Sequence, residues 1–208
     1  MAMKLNNSKY RPFKKVDLFI VDGPTEKWYL EDYFKLYQPR NNYSFSPDFK
    51  GSWKKNILTI KDKLKDFENI YWIVDMDVIL KEEAERKKGG KSPLDHFISE
   101  YKLLFKKKKV KIFVNNPCFE YWILLHFGFQ VLTSIKCDDI LPKLEKIKVI
   151  EGYAKTERFY KNRRITLVER LNMSFSNAII NAKKLGEFDV NNPYKPVSEI
   201  YKLFEEVY

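Results

Sequence analysis

Cysteine is scarce: the 208 residues hold two, Cys118 and Cys137. Two cysteines exclude a disulfide framework and any zinc site built on several thiolates. Histidine is equally rare, with His96 and His126 alone. Neither stands with Cys118 or a serine in a nucleophile–base pattern, which excludes triad chemistry. Glycine (7) and proline (9) are too few for collagen-like or low-complexity chains. Long apolar runs are missing as well. The longest, such as the YWILL of residues 121–125, is far short of the roughly 20 residues a bilayer span needs. Residues 1–15 carry lysine and arginine but no apolar stretch of a secretory leader. A soluble, cytoplasmic protein is expected.

Positive charge and aromatic rings are plentiful. Lys and Arg number 39 against 28 Asp and Glu, a net charge of +11. Aromatics make up 16% and hydrophobic residues 44% of the chain. The length suits one compact domain, since a chain somewhat shorter already buries roughly 70% of its extended surface. The excess charge bears on partners rather than on fold, and nucleic acid is the commonest polyanion. A solvated lysine-rich surface is the competing explanation.

Three apolar segments read as strands: residues 16–21 (VDLFIV), 70–74 (IYWIV) and 110–114 (VKIFV). Continuous runs of this kind suit strands covered on both faces in a parallel sheet. A weaker strand is expected at residues 43–46. Helical spacing of apolar residues predicts helices over 26–37, capped by Thr25, and over 54–67 and 94–105. Another is expected over 119–127, with Asn116 as cap and Pro117 in the first helical position. Two further helices are expected at 165–185 and 197–207. Strands alternating with helices predict an α/β fold with a small parallel sheet flanked by helices. Residues 1–130 are expected to form this core, and 131–208 a purely helical extension packed on it as one unit. Residues 81–92 (KEEAERKKGGKS) read as an exposed loop. Residues 81–111 hold eleven Lys or Arg against five Asp or Glu, and Lys87, Lys88, Lys91, Lys107 and Lys108 are the candidate nucleic-acid contacts.

Each strong strand ends on polar or acidic residues: Asp22 and Glu26; Asp75 and Asp77; Asn115, Asn116 and Glu120. In open α/β sheets, ligands bind beyond the carboxyl ends of the strands, where these groups meet if the strands are parallel. Asp75 and Asp77, two apart at the end of an extended segment, are expected to point to one side. With Glu26 they form an oxygen set suited to Mg²⁺ or Mn²⁺, an ion that activates water and polarises a phosphodiester. Glu120 is the only charge between Asn115 and Gln130. An ionised carboxylate in so apolar a helix needs a partner or a metal. His96 and His126 read as surface or core residues.

The segments Gly23-Pro24-Thr25-Glu26 with Tyr33-Phe34, Ile73-Val74-Asp75-Met76-Asp77, and Asn116-Pro117-Cys118-Phe119-Glu120-Tyr121-Trp122-Ile123-Leu124-Leu125-His126-Phe127 resemble the RloB-like proteins. Tyr153-Ala154-Lys155, Asn177-Ala178 with Ala182, and Asn192-Pro193 extend the resemblance toward the C-terminus. Asp22 stands where the family commonly has Glu, Met76 where Arg is frequent, Asn115 for Ser and Tyr121 for Leu. The resemblance implies a Toprim-like fold. In that module a Glu after the first strand is general acid or base, here Glu26, and the Asp pair holds the metal, here Asp75 and Asp77. It further implies that Lys155 stabilises charge on the phosphate, and it carries an expected role in phage defence, with a defence-system partner protein or self-assembly. A topoisomerase or primase needs modules that 208 residues with two cysteines do not supply. Three readings remain: a metal-dependent nuclease acting on DNA or RNA, tRNA included; a non-catalytic Toprim-like module binding nucleic acid or a partner; and a D-x-D glycosyl- or nucleotidyltransferase. The first has the most residues behind it.

Overall fold

The computed structural model describes residues 15–46, 52–132, 136–161 and 164–208. The leader reading at residues 1–14 lies outside them. The chain runs β1 (Val16–Ile20), α1 (Pro24–Leu36), β2 (Asn42–Phe45), α2 (Trp53–Lys63), β3 (Ile70–Asp75), α3 (Met76–Ala84), α4 (Pro93–Phe105), β4 (Val110–Asn116) and α5 (Glu120–Leu125). It continues through α6 (Leu141–Glu145), α7 (Glu157–Lys161), α8 (Leu167–Leu171), α9 (Phe175–Leu185), β5 (Val197–Ser198) and α10 (Ile200–Val207).

The sheet has the order β2-β1-β3-β4-β5. The first three pairings are parallel, and β5 is antiparallel to β4, with Asn115 opposite Ser198 and Asn116 opposite Val197. The fold is therefore α/β, with a five-stranded, mostly parallel sheet between two helical layers, as the strand–helix alternation predicts. From β1 the chain turns outward to β2, then returns to place β3 on the other side of β1. The order thus reverses between β1 and β3, the crevice where doubly wound sheets take ligands.

Side-chain alternation sorts each strand between two cores. Leu18, Ile20, Ile70, Trp72, Val74, Val110, Ile112 and Val114 pack with α2, α3 and α4. Phe19, Val21, Tyr71, Ile73 and Phe113 pack with α1, α5 and the C-terminal helices. The same parity puts Asp75 and Asn115, paired in register, on the face that α1 and α5 cover.

Several boundaries differ from the periodicity reading. Helix α1 starts at Pro24 with Gly23 as cap, because proline's fixed φ suits the first helical position; Thr25 lies inside the helix. Asn116 ends β4 rather than capping a helix, and it donates to the carbonyls of Pro193 and Lys195. The Asn116–Pro117 peptide is cis, and α5 begins only at Glu120. Helix α3 occupies the first residues of the expected 81–92 loop. The C-terminal part is not purely helical: Val197 and Ser198 enter the sheet before α10. Cys118 and Cys137 are bonded to each other as one disulfide, S–S 2.05 Å, and neither is a free thiol. Among the described residues, no helix is long and apolar enough to cross a membrane.

Candidate active site

Five carboxyl groups gather at the carboxyl edge of the parallel strands. Asp22 follows β1, two residues past its end. Its Oδ2 accepts from the Asp75 backbone N–H at 2.9 Å and its Oδ1 from Asn56 Nδ2 at 3.1 Å. Asp22 thereby bridges β1 to the end of β3 at the crossover point. Glu26 sits in the first turn of α1, 3% exposed, with Thr25 Oγ1 donating to its Oε2 at 3.0 Å. Gly23 makes room for it: a Cβ there would lie 3.0 Å from Glu26 Oε2.

Asp75 ends β3 and takes the N-cap position of α3, yet its carboxylate does not cap that helix. Oδ1 accepts from Asn115 Nδ2 at 3.3 Å, and Oδ2 from the Phe119 backbone N–H at 3.1 Å. Asn115 is steadied in turn by Ser198 Oγ, 3.1 Å from its Oδ1. Because a helix starts at Met76, Asp75 and Asp77 do not share one extended segment. Met76 is fully buried in the core, and Asp77 belongs to the first turn of α3. Its Oδ1 accepts from the Val78 N–H at 2.7 Å, and its own N–H donates to the Pro117 carbonyl at 3.0 Å.

Glu120 opens α5 and is wholly buried. Lys155 Nζ lies 3.0 Å from its Oε1, and Tyr153 Oη donates to the same oxygen at 3.3 Å. Tyr160 Oη, 3.0 Å from Tyr153 Oη, extends the chain of hydroxyls. Glu120 Oε2 is 3.2 Å from Cys137 Sγ, a disulfide sulfur with no proton to give.

The electrostatics are one-sided. Burial pushes Asp22 up to about 7, with the charges of Glu26 and Asp77 adding to it against the Asp75 N–H. Glu26 is raised by burial and then by Glu120. Asp75 is raised well above the usual carboxylate range by burial, then by Glu26, Asp22, Asp77 and Glu120. Burial also raises Asp77, although the Val78 N–H and Lys155 oppose it. Burial works against the Lys155 ammonium, but Glu120, Glu26 and Asp75 outweigh it and hold its titration above normal.

The predicted residues Glu26, Asp75, Asp77, Glu120 and Lys155 thus lie in one electrostatic neighbourhood. Their ligand atoms are not drawn tight. Among the described residues, the group with three His, Cys, Asp or Glu ligand atoms all within 4.8 Å of one another is Cys118, Glu120 and Cys137. The disulfide leaves those sulfurs no thiolate, so that group is no metal site.

The candidate nucleic-acid lysines fall at two places. Lys87, Lys88 and Lys91 are exposed on the loop before α4, at the end of α4 that lies toward the carboxyl edge. Trp53, at the start of α2, packs there on His96 with ring centroids 5.2 Å apart. Lys107 and Lys108 are exposed just before Val110, the opposite end of β4, about 20 Å along the strand at ~3.3 Å per residue. Tyr43 and Phe45 join the cluster around Phe19 and Phe34, and Trp53 is core.

Sequence reasoning places Asp22 at this edge without giving it a role, and it does not single out Tyr160. The signal for Asp22 was present, an acid directly after a buried strand; Tyr160 had none. The sequence model of the RloB-like protein family matches residues 18–207. The chain belongs to the RloB-like family. All five carboxyls and Lys155 of this RloB-like chain fall inside the matched span. No curated protein and no solved structure matches it.

Proposed function

We propose that this RloB-like protein is a metal-dependent nuclease of Toprim-like architecture that hydrolyses phosphodiesters of DNA or RNA, in the service of phage defence. The observation that carries the proposal is the imbalance at the strand ends: Asp22, Glu26, Asp75, Asp77 and Glu120 face one another with Lys155 as the cation that the structure pairs among them. The donor chemistry fits a hard divalent cation, since every group is a carboxylate oxygen and each of Glu26, Asp75 and Asp77 is raised by burial and by neighbouring charge that a cation relieves. Glu26, Asp75 and Asp77 would hold Mg²⁺ or Mn²⁺, which supplies Lewis-acid polarisation of the phosphate and a more acidic water.

The chain's own residues divide the remaining work. Glu26, its titration raised by burial and by the neighbouring Glu120, suits exchange of a proton with water or the leaving oxygen. Asp22 fixes the Asp75 backbone, and Asn115 and the Phe119 N–H orient the Asp75 carboxylate. Glu120 and Tyr153 position Lys155 at the rim, where its ammonium offsets charge growing on the phosphate. The exposed lysines before α4 suit the flanking backbone.

The test is cleavage of single- and double-stranded DNA, RNA and tRNA with Mg²⁺, Mn²⁺ or chelator. Cation-dependent cleavage is expected, reduced at least about a hundredfold in Glu26→Gln and in Asp75→Asn/Asp77→Asn. Cleavage that persists in chelator, or in those variants, refutes it. A second reading, a non-catalytic module that binds nucleic acid or a defence partner, is favoured by the spread of the three carboxylates noted above. It calls for salt-sensitive binding, equal in wild type and variants, with no cutting under any condition.

A further inference from the structure

The chain's one cysteine pair borders the acidic centre. Cys118 and Cys137, its only cysteines, are bonded to each other 19 positions apart. Cys118 sits inside the stretch 117–120, which touches three of the charged groups. The Pro117 carbonyl accepts from the Asp77 N–H at 3.0 Å, the Phe119 N–H donates to Asp75 Oδ2 at 3.1 Å, and Glu120 Oε1 lies 3.0 Å from Lys155 Nζ. Cys118 is 1% exposed and Cys137 8%, with exposed Lys136 and Asp138 on either side of Cys137. Solvent reaches the pair from the Cys137 side.

The two oxygens of Glu120 are served unequally. Oε1 takes the Lys155 ammonium and the Tyr153 hydroxyl. Oε2 faces Cys137 Sγ at 3.2 Å, and no other hydrogen bond reaches it among the described residues. A disulfide sulfur has no proton to give, so an oxygen of a wholly buried carboxylate is left without a donor. Such a group costs stability until something supplies one.

Reduction supplies it. A dithiol reductant is oxidised to its own disulfide, the Cys118–Cys137 bond opens, and two electrons and two protons leave one S–H on each sulfur. The Cys137 S–H then donates to Glu120 Oε2. Burial and the adjoining carboxylate both disfavour a thiolate there, which keeps that proton on sulfur. With a donor on each oxygen, Glu120 holds Lys155 less firmly; with Oε2 bare, Lys155 and Tyr153 carry the whole carboxylate.

We propose that the Cys118–Cys137 pair is a redox switch on the acidic centre: the disulfide holds Lys155 against Glu120, and the dithiol, through Cys137 S–H on Glu120 Oε2, releases the lysine toward the rim. The consequence for phosphate rests on the nuclease reading, in which reduction is the activating step. The consequence for Lys155 does not.

The test reads Lys155 itself. The full-length protein, either oxidised or reduced with dithiothreitol and desalted without oxygen, is trace-labelled with acetic anhydride in chelator. Acetylation at Lys155 is measured by mass spectrometry against exposed Lys87 as internal standard. Reduction is expected to speed Lys155 about fivefold, the equilibrium effect of one hydrogen bond, and to leave Lys87 unchanged. Cys118→Ala/Cys137→Ser forms no disulfide but keeps a hydroxyl facing Oε2, and it is expected to match the reduced chain with or without reductant. Cys118→Ala/Cys137→Ala has neither bond nor donor and is expected to match the oxidised chain. Equal Lys155 rates in oxidised and reduced wild type overturn the switch, as does a disulfide that millimolar dithiothreitol leaves closed in the folded protein. Equal rates in the two double variants trace the effect to a loosened chain and overturn the donor mechanism. The wild-type comparison decides the switch even where a variant fails to fold. Cleavage is read separately. A responding lysine in a chain that cuts nothing refutes the nuclease alone, and cutting with an unresponsive lysine refutes the switch alone. Cutting that ignores dithiothreitol while the lysine responds refutes the link between switch and reaction.

Discussion

Asp75 and Glu120 are both buried carboxylates at the same sheet edge, yet they are held on opposite terms. Asp75 and its neighbour Asp22, on the sheet side, take only neutral donors: backbone N–H groups and the amides of Asn115 and Asn56. Glu120, on the helical side, is met by the Lys155 ammonium and the Tyr153 hydroxyl. Burial raises both Asp22 and Asp75, neighbouring carboxylates add to it, and neutral donors bring no opposing charge, so the sheet side titrates high. The ion pair gives Glu120 an opposite charge at 3.0 Å and makes it a structural anchor. On the proposed nuclease reading, the unneutralised half of the centre is the half that a cation would occupy.

The sheet side is broken most strongly by pH. Asp22 titrates near 7 in the fold against an ordinary 3.8, so between those values the folded chain keeps a proton that the unfolded chain has lost. Its contribution is whole below the lower value and fades as pH rises toward the upper one. In chelator, about 2–3 kcal/mol of stability is expected to disappear between pH 5 and pH 8, a fall in Tm of roughly 5–10 °C. Mg²⁺ or Mn²⁺ is expected to restore Tm more at pH 8 than at pH 5. A Tm that stays level or rises with pH, measured calorimetrically in chelator, contradicts this account.

The helical side is broken by removing its cation. Lys155→Met leaves Glu120 buried and unpaired, at an expected cost of about 2 kcal/mol once the 41% exposure of the lysine side chain is discounted. Lys155→Met with Glu120→Gln is expected to recover most of that loss, and denaturant unfolding of the single and double variants gives the coupling. Additive losses would show that the pair is incidental.

The smallest effect sharpens the contrast between the two lysine sets. Reversing Lys87, Lys88 and Lys91 to Glu is expected to weaken nucleic-acid binding several-fold and to flatten its dependence on salt. The same change at Lys107 and Lys108, at the far end of β4, is expected to matter less. Equal losses from both sets, measured by anisotropy across a salt series, would place the nucleic acid elsewhere on the surface.

The three buried strands were legible because apolar runs of Val, Ile and aromatics admit few other structures, and their polar ends marked the edge where the carboxyl groups gather. Asp75 and Glu120 stood out for the same reason, as charges abutting stretches that have no other charge. Boundaries were less legible. Thr25 looks like a cap, but Pro24 already satisfies the first turn. Asn116 looks like a cap, but Val197 and Ser198 draw it into the sheet. The two-residue strand β5 carries no periodicity and exists only because β4 offers it an edge.

Local chemistry therefore accounts for the α/β alternation, the parallel core and the acids that end each strand, since burial pattern and chain chirality act within short segments. Only the tertiary structure decided that Asp22 would bridge to Asp75, that Lys155 would neutralise Glu120 rather than Glu26, and that Cys118 would find Cys137. Those pairings join residues between 19 and 53 positions apart. They depend on which helices cover which face of the sheet, a matter of packing two cores at once that no single segment records.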